Sequence, residues 1–268
     1  MSGVIHILNI SGERINEFKL NSAYRVRSVL SQVKQLPDST KIYDAWSELF
    51  DIEDDDLNRK TFAISNHLSE LHGEVENIKL EMGKLEYSSS LYLPSMSKCN
   101  SVFAVHVLMN NWNAVNKNIT DEVMTVLGFC EEILPSEEDL IDQDDLENLK
   151  EMADDLRATL SESKLPERAL NLISKHLEKI ESAIASYQVI GAKAFEETIK
   201  SAYGEVIANA EIFQEAKNSP ELGKLASIWQ KTKSILDGVV STNKRLSGMQ
   251  GVIDKGQKLV ELIQNLNV

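Results

Sequence analysis

The 268-residue sequence is poor in cysteine, proline, glycine and aromatic residues, and each shortage excludes a class of protein. Its two cysteines, Cys99 and Cys130, are too few for a disulfide-stapled secreted domain, and neither belongs to a C-x-x-C zinc motif. Their apolar neighbours predict buried free thiols. Twelve glycines exclude a collagen-like chain, and aromatics at 6% favour helices over a β-sandwich. The five prolines punctuate helical patterns, at positions 37, 94, 135, 166 and 220.

Long hydrophobic runs are also missing. The longest strongly apolar run, residues 102–109, is eight residues long, and a transmembrane helix needs roughly 20. The first ten residues have neither the basic region nor the small-residue cleavage site of a secretory signal. We therefore expect a soluble, cytoplasmic protein.

Positive charge is in short supply, with 28 Lys and Arg against 42 Asp and Glu, a net charge of −14. Such a surface repels nucleic acid, so we expect no nucleic-acid partner. The charge is unevenly distributed, because residues 221–268 carry seven basic and four acidic residues, a net +3, which leaves −17 for residues 1–220. A small acidic body is typical of proteins that neutralise a basic partner, as immunity proteins and antitoxins do.

The hydrophobic pattern predicts a mainly α protein: a multi-helix bundle with long antiparallel helices and a short β-like segment at residues 4–10. We predict three parts, an N-terminal cap over 1–50, an acidic helical bundle over 51–220 and a basic amphipathic C-terminal segment over 221–268. Within the cap, apolar spacing predicts a helix over Ser22–Val33.

Shorter signals predict further boundaries. Asp38 or Ser39 caps the next short helix, and Thr120 caps a later one. The acidic run at 51–56 is well placed at the positive end of the helix that follows it. Between the helix that follows the acidic run and the helix capped by Thr120, residues 88–101 are predicted as a loop. This loop leads into a buried helix around Phe103, Val107, Leu108, Trp112 and Val115.

A heptad repeat over residues 57–86 is the clearest helical pattern. Its apolar positions alternate in steps of four and three, at Ile64, Leu68, Leu71, Val75, Ile78, Met82 and Leu85, and Leu57 extends it upstream. Gly73 and Gly83 weaken a coiled coil, so a long helix of an intramolecular bundle is the alternative. If the seam faces a partner or a second copy, the contacting residues are Leu68, Leu71, Val75 and Ile78.

A second long pattern covers residues 165–214. Apolar residues recur in steps of three and four from Leu170 to Tyr187, and a matching stripe runs from Phe195 to Phe213. Gly191 lies between them, so we predict a helical hairpin, with a kinked single helix as the alternative.

Two amphipathic stripes mark residues 221–268. We consider three interpretations: a positive arm that docks on the acidic body of its own chain, a segment that contacts a membrane surface, and a surface for a partner or a second copy. The residues that would make the contact are Trp229, Lys231, Lys233, Leu259 and Ile263.

Most catalytic signatures are missing from the sequence. It contains no G-x-G-x-x-G or Walker loop, no G-x-S-x-G elbow, no H-E-x-x-H and no Glu-x-x-His pair. The acidic runs at 51–56 and 142–147 lack the glycine and glutamate of a calcium-binding EF-hand loop, so we interpret them as solvated helix caps. We therefore expect no enzyme activity, no cofactor and no metal.

Three weaker combinations remain. His67 and Glu70 are spaced for a surface ion pair on one helix. Arg168 and His176 share a helix, as in Arg/His ribonucleases, but they are separated by more residues than those motifs use. His106 beside the cysteines suggests a nucleophile and base, although an apolar helix predicts a core histidine there.

The segments Leu165-Pro166-Glu167, His176 to Ile184, Tyr187 and Gly191-Ala192 resemble a stretch of uncharacterised bacterial helical proteins, some encoded near phage-defence genes. Tyr43-Asp44-Ala45-Trp46-Ser47-Glu48-Leu49-Phe50 is similar to an earlier motif of the same group. The resemblance implies a bacterial source and a role in defence, and it supplies no catalytic residues.

Together these observations predict a non-enzymatic interaction or assembly component, with a defence or toxin-neutralising role implied by the resemblance and the acidic charge. Two alternatives stay open. One is a defence effector that acts on membranes through residues 221–268, and the other is a metal-dependent nuclease.

Overall fold

The computed structural model describes residues 19–53, 55–240 and 250–266. These residues form a mainly helical protein with twelve α-helices, which confirms the predicted class. The predicted β-like segment at residues 4–10 lies outside the described residues.

The chain divides into two compact units, Met1–Ser136 and Glu137–Val268, called unit 1 and unit 2 below. This division does not follow the predicted parts 1–50, 51–220 and 221–268. The helix beginning at residue 57 packs on the helices of the predicted cap, and the lysine-bearing helix beginning at residue 220 packs on the acidic helix beginning at residue 143. A shift in charge along the chain therefore marks partners within one core, not a domain boundary.

Unit 1 is a bundle around one long helix. Its described helices are α1 (Ser22–Val33), α2 (Ile42–Leu49), α3 (Leu57–Met82), α4 (Leu93–Val102), α5 (Asn113–Asn116) and α6 (Asp121–Ile133). α1 and α4 pack against α3, and α6 packs on both α1 and α4, which closes the core. α1 has the predicted bounds, and α3 is slightly shorter than the heptad pattern predicts.

Side chains fix the starts of two of these helices as expected. Asp56 ends the acidic run and accepts hydrogen bonds from the backbone N–H groups of Asn58 and Arg59, both at 2.9 Å. These bonds hold the pKa of Asp56 below its usual value. Thr120 accepts the N–H of Val123 at 3.3 Å, as predicted for α6.

The secondary structure predicted for residues 88–115 is wrong, although Phe103, Leu108, Trp112 and Val115 are buried as predicted. Much of the expected loop forms α4, with Pro94 in its first turn, where a missing N–H costs nothing. The expected buried helix is broken into a short 3-10 helix at Val105–Val107 and the single turn of α5.

The start of α2 explains why the buried helix expected around residues 103–115 is broken. The prediction that Asp38 or Ser39 caps α2 is wrong. The first N–H groups of the helix, from Ile42 and Tyr43, donate instead to the carbonyls of Asn110 and Leu108. A chain segment distant in sequence therefore serves as the cap. Residues 108–110 need an irregular backbone to present these carbonyls.

Unit 2 is a second helical bundle. Its described helices are α7 (Gln143–Ser161), α8 (Glu167–Ile190), α9 (Lys193–Ala208), α10 (Ala210–Glu215), α11 (Pro220–Val240) and α12 (Gln250–Leu266). α7 packs on α8 and α11, and α12 packs on α9 and α11. Pro166 and Pro220 stand at helix starts, as the punctuation predicts.

α8 and α9 form the predicted hairpin. Gly191 ends α8 with φ of 65° and ψ of −152°, and α9 begins two residues later. Lys179 bonds to Ser201, and one turn earlier Lys175 pairs with Glu205, so the two helices run antiparallel.

Candidate functional site

The heptad seam of α3 lies inside unit 1. The side chains of Leu68, Leu71, Val75 and Ile78 are at most 1% exposed. They are covered by the other helices of unit 1, which is the intramolecular alternative to a dimer. The expected partner-facing seam is therefore the unit's own core, because α1, α2 and α4 supply the apolar surface that a second copy would have supplied.

The predicted contact residues of the C-terminal segment also lie inside their own unit. Trp229, Leu259 and Ile263 are fully buried, where α11 meets α12 and the rest of unit 2. Lys233 pairs with Asp237 on the same helix. None of these three apolar side chains is available at the surface described here.

The lysines of α11 dock on the acidic helix of their own unit. Lys231 lies 2.5 Å from Asp145 of α7, and Lys224 lies 2.6 Å from Asp155 of the same helix. Lys224 also donates to the hydroxyl of Thr159. This arrangement corresponds to the first of the three interpretations of the basic segment, a positive arm on an acidic body.

His176 is a core residue of unit 2. Its ring lies edge-on to Phe213 and Trp229, with centroids 5.4 and 5.7 Å away. Within the described part of the chain neither ring nitrogen has a hydrogen-bond partner. Burial lowers the pKa of His176 to about 4, so the ring is neutral at pH 7. Arg168 is exposed and pairs with Glu215, so the two residues of the nuclease hypothesis do not share a surface site.

Glu205 faces His176 from α9, with 3.6 Å between Oε2 and Nε2. Lys175 and Lys179 of α8 pair with the same carboxylate. Burial alone raises the pKa of Glu205, but the hydrogen bond from Lys175 and the nearby positive charges hold it below its usual value. The carboxylate stays ionised and links α9 to α8.

Two other histidines differ from expectation. His67 and Glu70 form the predicted pair, at 2.9 Å, but His67 is buried and its ring lies 4.7 Å from that of Phe50. His106, expected in the core, is exposed at the broken segment after α4. Its place outside a regular helix explains the error.

The two cysteines are not poised for nucleophilic chemistry, and the possible metal ligands of the described residues are not grouped together. Cys99 and Cys130 are buried free thiols, as predicted, and burial raises their pKa values to about 12 and about 11. Neither thiol is therefore ionised at pH 7, and a nucleophilic cysteine must ionise. Among the described residues no three His, Cys, Asp or Glu side chains are grouped to hold a metal ion.

Sequence reasoning misses a buried ion pair between α1 and α3. Nε and Nη2 of Arg25 lie 2.7 and 2.6 Å from Oε2 of Glu74, and both side chains are almost fully buried. Glu74 flanks the heptad seam, and that inward-edge position is the signal that points to it.

Sequence reasoning also misses a group of exposed apolar side chains in unit 1. They lie in the last turn of α3, in the connection to α4, at the first residue of α4 and on α6, and are exposed by 38–61%; we call these the outer apolar cluster, and they are Leu80, Leu85, Tyr87, Leu91, Leu93 and Phe129. The rings of Tyr87 and Phe129 meet edge to face, with centroids 5.4 Å apart. The signal in the sequence is a run of leucines and a tyrosine among turn-forming residues, where no helix or strand buries them.

Comparison with known proteins gives no match: no family model, no curated protein and no solved structure is similar to the chain. The resemblance to bacterial helical proteins therefore stays a prediction. No helix in the described ranges is both long and apolar enough to cross a membrane.

Proposed function

We propose that this protein is a non-enzymatic binding protein, and that unit 1 contacts its protein partner through the outer apolar cluster. The observation that carries this proposal is the exposure of six large apolar side chains around one chain connection and one helix. Exposed apolar side chains that lie close together are costly in water and mark contact surfaces. The ring contact of Tyr87 and Phe129 joins the connection after α3 to α6.

The rest of the molecule supports a binding role over chemistry. His176 and both cysteines are buried, and burial keeps them uncharged at pH 7, while His106 lies exposed on a different segment from either thiol. The net charge of −14 favours association with a basic partner. We place this binding in the cytoplasm, within a defence system, as the sequence resemblance implies, or a toxin-neutralising system, as the acidic charge suggests.

Site-specific photo-crosslinking tests the proposal. A photoreactive amino acid replaces Leu91, in the outer apolar cluster, or Ile207, an exposed apolar residue of unit 2 used as the control. In the native host, we expect a discrete protein adduct from position 91 and none from position 207. No adduct at position 91, or the same adducts at both positions, contradicts the proposal.

A further inference from the structure

The outer apolar cluster is held in a defined shape. Backbone hydrogen bonds tie Leu85 to Met82 and Leu91 to Ser88, and the 3-10 helix at Ser89–Leu91 joins this connection to α4. Phe129 is fixed on α6 and contacts Tyr87. Because the backbone is already ordered, binding here loses little conformational entropy.

The charges around the cluster are unbalanced. Three nearby lysines are each paired with a glutamate, in the pairs Lys79 and Glu76, Lys84 and Glu81, and Lys98 and Glu122. Glu86 adjoins Tyr87, and Glu132 lies one turn after Phe129; both are exposed. Among the described residues neither carboxylate forms a salt bridge, and the ammonium of Lys19 donates to the backbone carbonyl of Glu132. Two carboxylates against one ammonium leave a net negative charge at the rim.

The negative charge of this rim favours some binding partners of the cluster over others. A two-fold dimer through the cluster would bring the acidic rim against its own copy, and like charges would repel. Cytoplasmic membrane surfaces are anionic and would be repelled as well. A segment with basic residues beside its apolar face fits both features.

Resting on the proposed function, we infer that the outer apolar cluster binds an amphipathic protein segment whose apolar face is flanked by lysine or arginine. The apolar side chains of that segment cover Tyr87, Leu91 and Phe129. Its basic residues pair with Glu86 and Glu132. The pairs set specificity, and the apolar contacts supply most of the affinity.

Two synthetic fluorescent peptides test this inference on the full chain by anisotropy titration. They share one Leu- and Phe-rich helical face, and their polar positions carry lysine in one and glutamate in the other. We expect the lysine peptide to bind at least about tenfold more tightly than the glutamate peptide. Leu91→Ser weakens binding by about tenfold or more, whereas Ile207→Ser leaves it unchanged.

Reversing the charge of the rim tests whether Glu86 and Glu132 set the preference between the two peptides. The double variant Glu86→Lys/Glu132→Lys, at exposed positions that leave the core intact, is expected to invert the preference between the two peptides. Equal binding of both peptides by the unaltered chain, or an unchanged preference in the double variant, overturns the inference. A homodimer in light scattering, or vesicle binding, that Leu91→Ser abolishes also overturns it, because another occupant then holds the cluster.

The two proposals fail in different ways. If position 91 yields adducts in cells but the peptides show no charge preference, the binding role stands and the partner chemistry is wrong. If position 91 yields no adducts, the binding role itself is lost.

Discussion

Gly191 shows how a single residue sets the geometry of unit 2. Its backbone angles fall in a region that essentially only glycine adopts, and an added Cβ would lie 1.9 Å from Oε1 of Glu138. Glu138 is buried, and its other oxygen accepts the N–H of Ala192 at the start of α9. The glycine makes room for the carboxylate that caps the second helix of the hairpin.

We expect Gly191→Ala to lower the free energy of unfolding by about 2–4 kcal/mol, because backbone strain adds to the loss of the cap. Urea unfolding measures the change. Gly204→Ala is the control, since a Cβ there meets nothing within 4 Å in the middle of α9. It should raise stability by about 0.5–1 kcal/mol. Equal stabilities of the two variants would count against this view of the turn.

His176 couples unit 2 to pH. Its folded-state pKa of about 4 lies below the ordinary 6.5, so the unfolded chain binds more protons between these values. Its contribution is thus fully present above pH 6.5 and is lost as the pH falls through about 4. The shift corresponds to roughly 3 kcal/mol.

Removal of this titrating group should flatten the acid dependence of stability. We expect His176→Gln to lose less unfolding free energy than the unaltered chain between pH 7 and pH 4.5, as followed by urea titrations at each pH. Phe213→Leu weakens the same contact without removing a titratable group, so it should keep the original slope. Identical slopes for all three proteins would show that the imidazole is accessible to protons in the folded state.

At the scale of elements, the sequence predicts helices with a strong period and a local cap. α1 and the α8–α9 hairpin follow from apolar spacing and one glycine, and α3 from its heptads. The cap of α2 is missed, because the acceptors for its first N–H groups come from residues 108–110. α4 is missed altogether, since most of its sequence is predicted as a loop. The sequence also does not show which surface a heptad seam packs against, since the pattern is the same whether the partner is another copy or α1.

The candidate surface is hard to predict for a related reason. An exposed leucine and a buried one look alike in a sequence, so Leu91 and Leu71 are distinguished only when the helices around them are placed. The pairing of Lys224 and Lys231 with α7 could be anticipated, because acidic and basic segments of one chain attract. The unpaired state of Glu86 could not.

The ion pair of Arg25 and Glu74 tests how α1 and α3 are joined. We expect Arg25→Met or Glu74→Leu alone to cost about 3–5 kcal/mol, because each leaves a buried charged partner uncompensated. The double variant Arg25→Met/Glu74→Leu should cost much less than the two single changes together. Urea unfolding of all four proteins closes the cycle. Additive losses would mean that the two side chains stabilise the unit independently.

At the scale of the whole molecule, the two units use their long apolar seams internally. α3 closes unit 1, and α11 and α12 close unit 2, with lysines of α11 on the acidic helix α7. Among the described residues, the outer apolar cluster lies outside these seams. We therefore expect the seams to hold each unit together and the cluster to contact the partner.

Hydrogen–deuterium exchange of the full chain, with and without the lysine-flanked peptide, tests this expectation most directly. We expect slow exchange in α3 and α11 in both states, because their seams are already buried, and new protection confined to residues 80–93 and the helical turn around Phe129. New protection along α3 or across α11 and α12 would contradict it, since the seams would then be the surface that binds.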